Sequence, residues 1–218
     1  MASDLDFRAT PLVVPIRSLG PGHRERIAAH LLALDPGDRF LRFGYSATDE
    51  HIRRYVDQLD FDQDDIFGIY NRKLELIAVA HLAYARDPAA SRCAEFGVSV
   101  LAKARGRGYG TRLFERAVIH ARNEGVDLLF IHALSENAAM LAIARKAGAS
   151  LERFGSETEA HLRLPPATLD TRVSELVDEQ LARTDYQLKQ QARSFRAFLL
   201  GLQEARDGLR AGRHRSGS

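Results

Sequence analysis

Three glycines at alternate positions, Gly106, Gly108 and Gly110, sit among four cations, Lys103, Arg105, Arg107 and Arg112. Glycine lets the main chain turn sharply and brings its N–H groups close to a ligand. A helix begins just beyond, because Leu113, Phe114, Ala117, Val118 and Ala121 recur at helical spacing. Its N-terminus adds partial positive charge. The chemistry this arrangement serves is phosphate binding. Two familiar phosphate loops fit poorly. A Walker loop ends in Gly-Lys-Ser/Thr, and here Gly110 is followed directly by Thr111. A dinucleotide fingerprint has its first glycine close behind a strand, in Gly-x-Gly-x-x-Gly spacing, and here Ala102 to Arg105 intervene.

Arg105-Gly-Arg-Gly-Tyr-Gly110 instead resembles the Arg/Gln-x-x-Gly-x-Gly/Ala loop of the GNAT superfamily, the acetyl-CoA-dependent N-acetyltransferases. A second motif follows at the expected distance. Asn137 to Gly148, with Lys146 before the glycine, is similar to the family's Asn…Lys-x-Gly-Phe segment, and Ala149 stands where phenylalanine is usual. The resemblance covers roughly the first three quarters of the chain. Locally it is closest to bacterial protein-lysine acetyltransferases, through Glu95, Met140-Leu141 and Arg39-Phe-Leu-Arg-Phe43. Those enzymes often carry a further large CoA-ligase-like domain, which this sequence lacks, so the acceptor class stays open between a small-molecule amine and a protein lysine.

The resemblance implies a site. Two central strands splay apart and acetyl-CoA lies in the gap. Main-chain N–H groups of Arg107, Gly108, Gly110 and their neighbours Gly106, Tyr109 and Thr111 hold its phosphates, with Arg105 beside them. The main chain of Val98, Ser99 and Val100 runs along the pantetheine, and one of its N–H groups polarises the thioester carbonyl. Asn137 contacts the cofactor or a water near its sulfur, caps its helix, or does both. An ammonium acceptor, with a pKa of about 10.4, must lose a proton before attack. Glu95 is the candidate base, an ionisable residue in an otherwise apolar strand where desolvation is expected to raise its pKa. The structural alternative is a buried carboxylate paired with an arginine. His132, on the neighbouring strand, is the rival base. Many members place a tyrosine two residues before the lysine to protonate the leaving thiolate. Here that residue is Ala144, with Tyr109, Ser135 or water as substitutes. Cys93 reads as a core residue rather than an acyl carrier. A catalytically silent acyl-CoA sensor acting through the C-terminal helix is the alternative to an enzyme.

These residues need a scaffold. The chain has 218 residues and 45% hydrophobic content, enough for one domain and an extension. A net charge of +2 argues against a nucleic-acid or membrane partner. One cysteine, no basic apolar leader and no membrane-length apolar run point to a cytoplasmic protein. No histidine pair has ligand spacing, so no metal is expected. After a loose arm over 1–10, the pattern predicts a strand at Leu12–Ile16, a helix at His23–Leu34, a turn at Asp35–Asp38 and a Thr48-capped helix to Leu59. An acidic loop, Asp60–Asp65, precedes a hairpin of Ile66–Tyr70 and Leu74–Tyr84, and Arg86–Ala90 turns into the central strand. In that strand Phe96, Val98 and Val100 share one face and Glu95, Gly97 and Ser99 the other. Strand Leu128–Leu134, helix Asn137–Ala147 and strands Ser150–Phe154 and His161–Leu164 follow. The order implies an α/β (α+β) fold, a GNAT-like mixed and mostly antiparallel sheet with helices on both faces, plus a long C-terminal helix.

The expected organisation is an acetyltransferase domain over 1–166, a helical extension over 167–212 and a polar tail over 213–218. In the extension Leu181, Leu188, Phe195, Leu202 and Leu209 fall at intervals of seven, with Val177, Phe198 and Ala205 on the adjacent row. A continuous helix there spans about 60 Å, longer than the domain beneath it. Homodimerisation through this helix is the expectation; the alternative is a bent helix folded back on its own sheet. Arg206 to Arg215 gives little reason to expect nucleic-acid binding.

Overall fold

A computed structural model describes residues 14–85, 92–187, 189 and 190. The arm over 1–10, the turn over 86–90 and the heptad positions Leu188 to Leu209 lie outside the described residues. Among the described residues seven strands form one sheet: β1 (Arg17–Leu19), β2 (Asp65–Tyr70), β3 (Leu76–Tyr84), β4 (Cys93–Val100), β5 (Leu128–Leu134), β6 (Ser150–Phe154) and β7 (Glu157–Arg163). Their spatial order is β1-β2-β3-β4-β5-β7-β6. All neighbours are antiparallel except β4 and β5. The helices are α1 (Arg24–Leu32), α2 (Pro36–Phe43), α3 (Asp49–Asp57), α4 (Tyr109–Asn123) and α5 (Ala138–Lys146), with α6 over 169–187.

The alternation of β4 assigns the layers. Phe96 meets Phe114 of α4 edge-on, with ring centroids 5.1 Å apart. Ser99 bonds His30 of α1, and Gly97 lies under Arg42 of α2. Helices α1 and α2 therefore cover the face opposite α4, and the core fills both sides around buried Phe67, Phe96, Leu82, Leu113 and Leu129.

Three elements depart from the sequence pattern. The first strand among the described residues is Arg17–Leu19; of the expected Leu12–Ile16, residues 12 and 13 lie outside the described residues and 14–16 precede the strand. Pairing is anchored where Leu19 fills the space that Gly68 leaves on β2; a Cβ at Gly68 would lie 2.9 Å from the Leu19 side chain. Asp35–Asp38 is not a turn but the start of α2: Asp35 caps it by accepting the Asp38 N–H at 2.7 Å, and Pro36 occupies the first helical position. Turn chemistry and helix-start chemistry use the same residues. The last strand begins at Glu157, four positions before His161, because Thr158, Ala160 and Leu162 face inward between polar neighbours.

Helix α6 folds back on its own domain through a polar row. Glu175 pairs with Arg116 at 2.6 Å and with His120, and accepts from Asn123. Glu179 accepts from Ser18 at 3.0 Å, Ala182 is buried, and Tyr186 packs edge-on against Tyr70. Burial alone would lower the pKa of His120, but its bonds to Asp65 and Glu175 outweigh this and push it up to about 9. Burial acts to raise Glu175, and His120, Asn123 and Arg116 overcome that and hold it down to about 2. The His120 contribution to docking is therefore complete below 6.5, declines above it and is gone once pH passes about 9. That of Glu175 is complete above 4.5 and is lost as pH falls through about 2. Amide exchange across 169–187, corrected for intrinsic rates, is expected to accelerate at pH 9.5 relative to pH 6. His120→Gln should flatten that dependence.

Candidate functional site

Strands β4 and β5 pair only over Cys93–Glu95 and Leu128–Phe130. Beyond Glu95 they diverge, so the edge of β4 facing β5 loses its strand partner and its main-chain groups become available to a ligand. A cleft of about 470 Å³ opens there. Its walls are Val98, Ser99 and Val100 of β4, the glycine loop, the start of α4 and one side of α5. Gly106 and Gly108 have φ of +74° and +73°, the left-handed region that favours glycine. Gly108 is the N-cap of α4 and supplies no side-chain cap, so the first N–H groups of the helix have no intrahelical partner. Gly110 allows close packing: a Cβ there would lie 3.3 Å from Ile143 of α5.

The structure brings Val98, Ser99, Val100, Arg105, Gly106, Gly108, Tyr109, Gly110, Thr111 and Asn137 onto one cleft wall, with Arg107 in the same loop but outside that wall. Arg105 pairs with Asp38 and Lys103 with Glu75, the latter at 2.9 Å. The hydroxyl of Ser99 is committed to His30 Nε2 at 2.8 Å. Burial pushes the pKa of His30 down to about 4, so the neutral ring donates from Nδ1 to the Leu76 carbonyl at 2.9 Å and accepts from Ser99. Asn137 caps α5, accepting the Met140 N–H at 3.1 Å, while lining the cleft. Ala144 is fully buried on the inner face of α5 and lines neither cavity. Of the substitutes, Tyr109 lines the cleft, whereas Ser135 is bonded to Thr158 at 2.9 Å and lines neither cavity.

A second cavity of about 340 Å³ adjoins the cleft and shares Leu41, Arg42, Val98, Asn137 and Met140 with it. Glu95 lies here, with His132, Glu157, Glu159 and the rings of Phe43 and Phe154. The desolvated setting expected for Glu95 is not observed. Its side chain is 58% exposed and lies 3.3 Å from His132 Nδ1, and His132 Nε2 lies 3.3 Å from Glu159. Position 95 is the last paired residue before the strands separate, so its side chain opens into the gap rather than the core. It is not a buried carboxylate paired with an arginine either; the two candidate bases are neighbours. Sequence reasoning missed Arg42, Glu157 and Glu159. The signals available were the polar alternation in β7 and, for Arg42, its place in the Arg39-Phe-Leu-Arg-Phe43 segment that carries part of the family resemblance.

A mixed sheet opened at its one parallel pair, over a glycine loop and a helix N-terminus, is the architecture of acetyltransferases. The chain belongs to the acetyltransferase (GNAT) family, whose sequence model matches residues 35–149. Among solved structures it is similar to the GNAT domain of a PAT protein from S. lividans, at 20% identity and a TM-score of 0.58, covering 68% of this chain and 89% of that one. An N-acetyltransferase from Staphylococcus aureus Mu50 is similar at 16% identity and 0.56, covering 69% and 98%. A spermidine N-acetyltransferase from Vibrio cholerae, solved with CoA and spermine, is similar at 16% and 0.54, covering 68% and 94%. No curated protein sequence matches. Among the described residues no helix is long and apolar enough to cross a membrane.

Proposed function

We propose that the protein is an acetyl-CoA-dependent N-acetyltransferase, with cofactor in the larger cleft and a primary amine entering through the second cavity. The observation that carries this reading is the junction of the two cavities at Val98 and Asn137, with Glu95 on the acceptor side. The residues fit the cofactor: unpaired N–H groups at Tyr109, Gly110 and Thr111 suit its phosphates, and the open edge of β4 suits its pantetheine. When bound, acetyl-CoA supplies an activated acyl group. Glu95, directly or through His132, takes the proton of the entering amine, and N–H groups along Val98–Val100 hold the carbonyl oxygen. Attack is direct, in a ternary complex. The thiolate is a tolerable leaving group near pH 8 and leaves without a tyrosine acid. Residues 1–166 form the catalytic unit in this reading, and the single cysteine suits a cytoplasmic setting. The test is release of free thiol from acetyl-CoA across a panel of small amines and lysine peptides. Ala144, which offers no acid, favours a second reading, a ligand sensor acting through α6; tight cofactor binding with no turnover on any amine would support it.

The homodimer is part of the same proposal. On α6 the docked row is polar, whereas Leu169, Val173, Leu176, Val177 and Leu181 face outward, Leu176 at 67% exposure. They follow helical spacing and run into the heptad row that continues beyond the described residues. A second copy of α6 covers them in this reading. Light scattering after gel filtration should give a dimer, and Leu176→Glu with Leu181→Glu should give a monomer that still binds acetyl-CoA.

A further inference from the structure

Arg42 stands where the two cavities meet and belongs to the walls of both. Its guanidinium lies against the main chain of β4 at Gly97, where a Cβ would come within 2.8 Å of Arg42 Cζ. It is half-buried, and no carboxylate among the described residues lies within ion-pairing distance of it. This is unusual beside Arg39, which pairs with Asp49, and Arg105, which pairs with Asp38. A partly desolvated cation without a counter-charge is costly unless an anion arrives.

A chain of hydrogen bonds holds Arg42 in this position. Arg42 Nη2 donates to the Tyr55 hydroxyl at 3.0 Å, that hydroxyl donates to His81 Nδ1 at 2.7 Å, and His81 Nε2 donates to Asp64 at 3.1 Å. Every donor points the same way, which fixes the neutral His81 tautomer and the ring of Tyr55. The rings of Phe43 and Tyr55 flank the guanidinium at 5.3 and 5.6 Å. One N–H direction is used by Tyr55; the rest have no acceptor among the described residues. A planar fork with free donors, locked at the edge of a cavity, suits a carboxylate.

The second cavity therefore carries charge of both signs: Arg42 at its junction with the cleft, and Glu95, Glu157 and Glu159 along its other wall. We infer that its acceptor is an amine that also carries a carboxylate, a free amino acid rather than a simple amine, with Arg42 as the carboxylate receptor. Tyr55, His81 and Asp64 are positioning residues that act through Arg42. A developing oxyanion is a weaker match, because a transient charge does not neutralise the resting cation. This inference rests on the proposed transferase reading, and the experiment separates the two.

Two measurements suffice. Turnover is compared for free amino acids, each beside the amine formed by removing its carboxyl group. Binding of the corresponding N-acetyl products is measured by calorimetry in the presence of CoA, which needs no turnover. The wild type is expected to prefer the carboxylate-bearing member of each pair in both measurements, by on the order of 10- to 100-fold. Arg42→Met should collapse that preference toward unity, Arg42→Lys should restore part of it, and Tyr55→Phe should reduce it while retaining CoA binding. An unchanged circular dichroism spectrum and melting transition in Arg42→Met show that the variant is folded. Equal binding of both members by the wild type overturns the inference. So does an Arg42→Met that lowers kcat equally for both, which would assign Arg42 to the oxyanion. Failure of the wild type to bind CoA at all would instead sink the transferase reading.

Discussion

Gly108→Asp is expected to weaken acetyl-CoA binding by about 100-fold or more, equivalent to about 2.7 kcal/mol. Three effects act together. The residue has φ of +73°, where a side chain costs roughly 1–2 kcal/mol. It is the N-cap of α4, and aspartate is a strong N-cap, so its carboxylate would accept from the helix N–H groups that the phosphates need. It also puts a negative charge where negative charge must bind. No neighbour lies within 4 Å of the added Cβ, so crowding is not the cause. Gly125→Asp is the matched control. It has φ of +79° and sits just beyond the other end of α4, where the same strain should lower the melting temperature without changing affinity. Calorimetry with acetyl-CoA, CoA, ATP and NAD tests both. Micromolar binding of the CoA species alone, lost in Gly108→Asp, establishes the loop as the cofactor cradle. Unchanged binding in that variant would remove the loop from the site.

Glu95→Gln is expected to lower kcat by about 10² to 10⁴ with little change in acetyl-CoA affinity. The two parameters separate because Glu95 lines the second cavity and not the cofactor cleft. The amide keeps the shape and loses the ability to take a proton. His132→Gln is the paired variant, since His132 bridges Glu95 and Glu159 at 3.3 Å on either side. A small loss there leaves Glu95 as the base with His132 orienting it. A full-rate Glu95→Gln beside a crippled His132→Gln would transfer the role to His132. Full activity in both would leave the chemistry without either base.

Much of the fold was legible because local pattern and tertiary role agree. Ile27 and Leu31 recur at helical spacing and are buried, Thr48 caps α3, and the hydrophobic run of β5 is a strand between two helices. The glycine loop that lines the cleft was legible for the same reason: glycine spacing, flanking cations and the following helix all lie within about twenty residues of sequence. Where local chemistry is ambiguous, the reading slipped. Asp-Pro-Gly-Asp serves a turn and a helix start equally well, and only the packing of α2 over Gly97 selects the helix. Glu157 and Glu159 looked like loop residues, because the inward row of β7 shows as a core face only once β5 pairs with it.

The chain alone determined most of the element types, the family motif and the glycine loop, since these follow from short-range periodicity and backbone freedom. The tertiary structure decided what shares a space. It ended the β4–β5 pairing at Glu95, which turned an expected buried carboxylate into an exposed one beside His132. It laid Arg42 over Gly97, from 55 positions earlier in the chain, with Tyr55, His81 and Asp64 behind it. It also docked α6 through Glu175 and Glu179 rather than its leucines, because buried Arg116 and His120 required carboxylate partners and the leucines could face outward. Strand separation, guanidinium placement and helix orientation depend on contacts between distant segments, and no local pattern in the sequence encodes them.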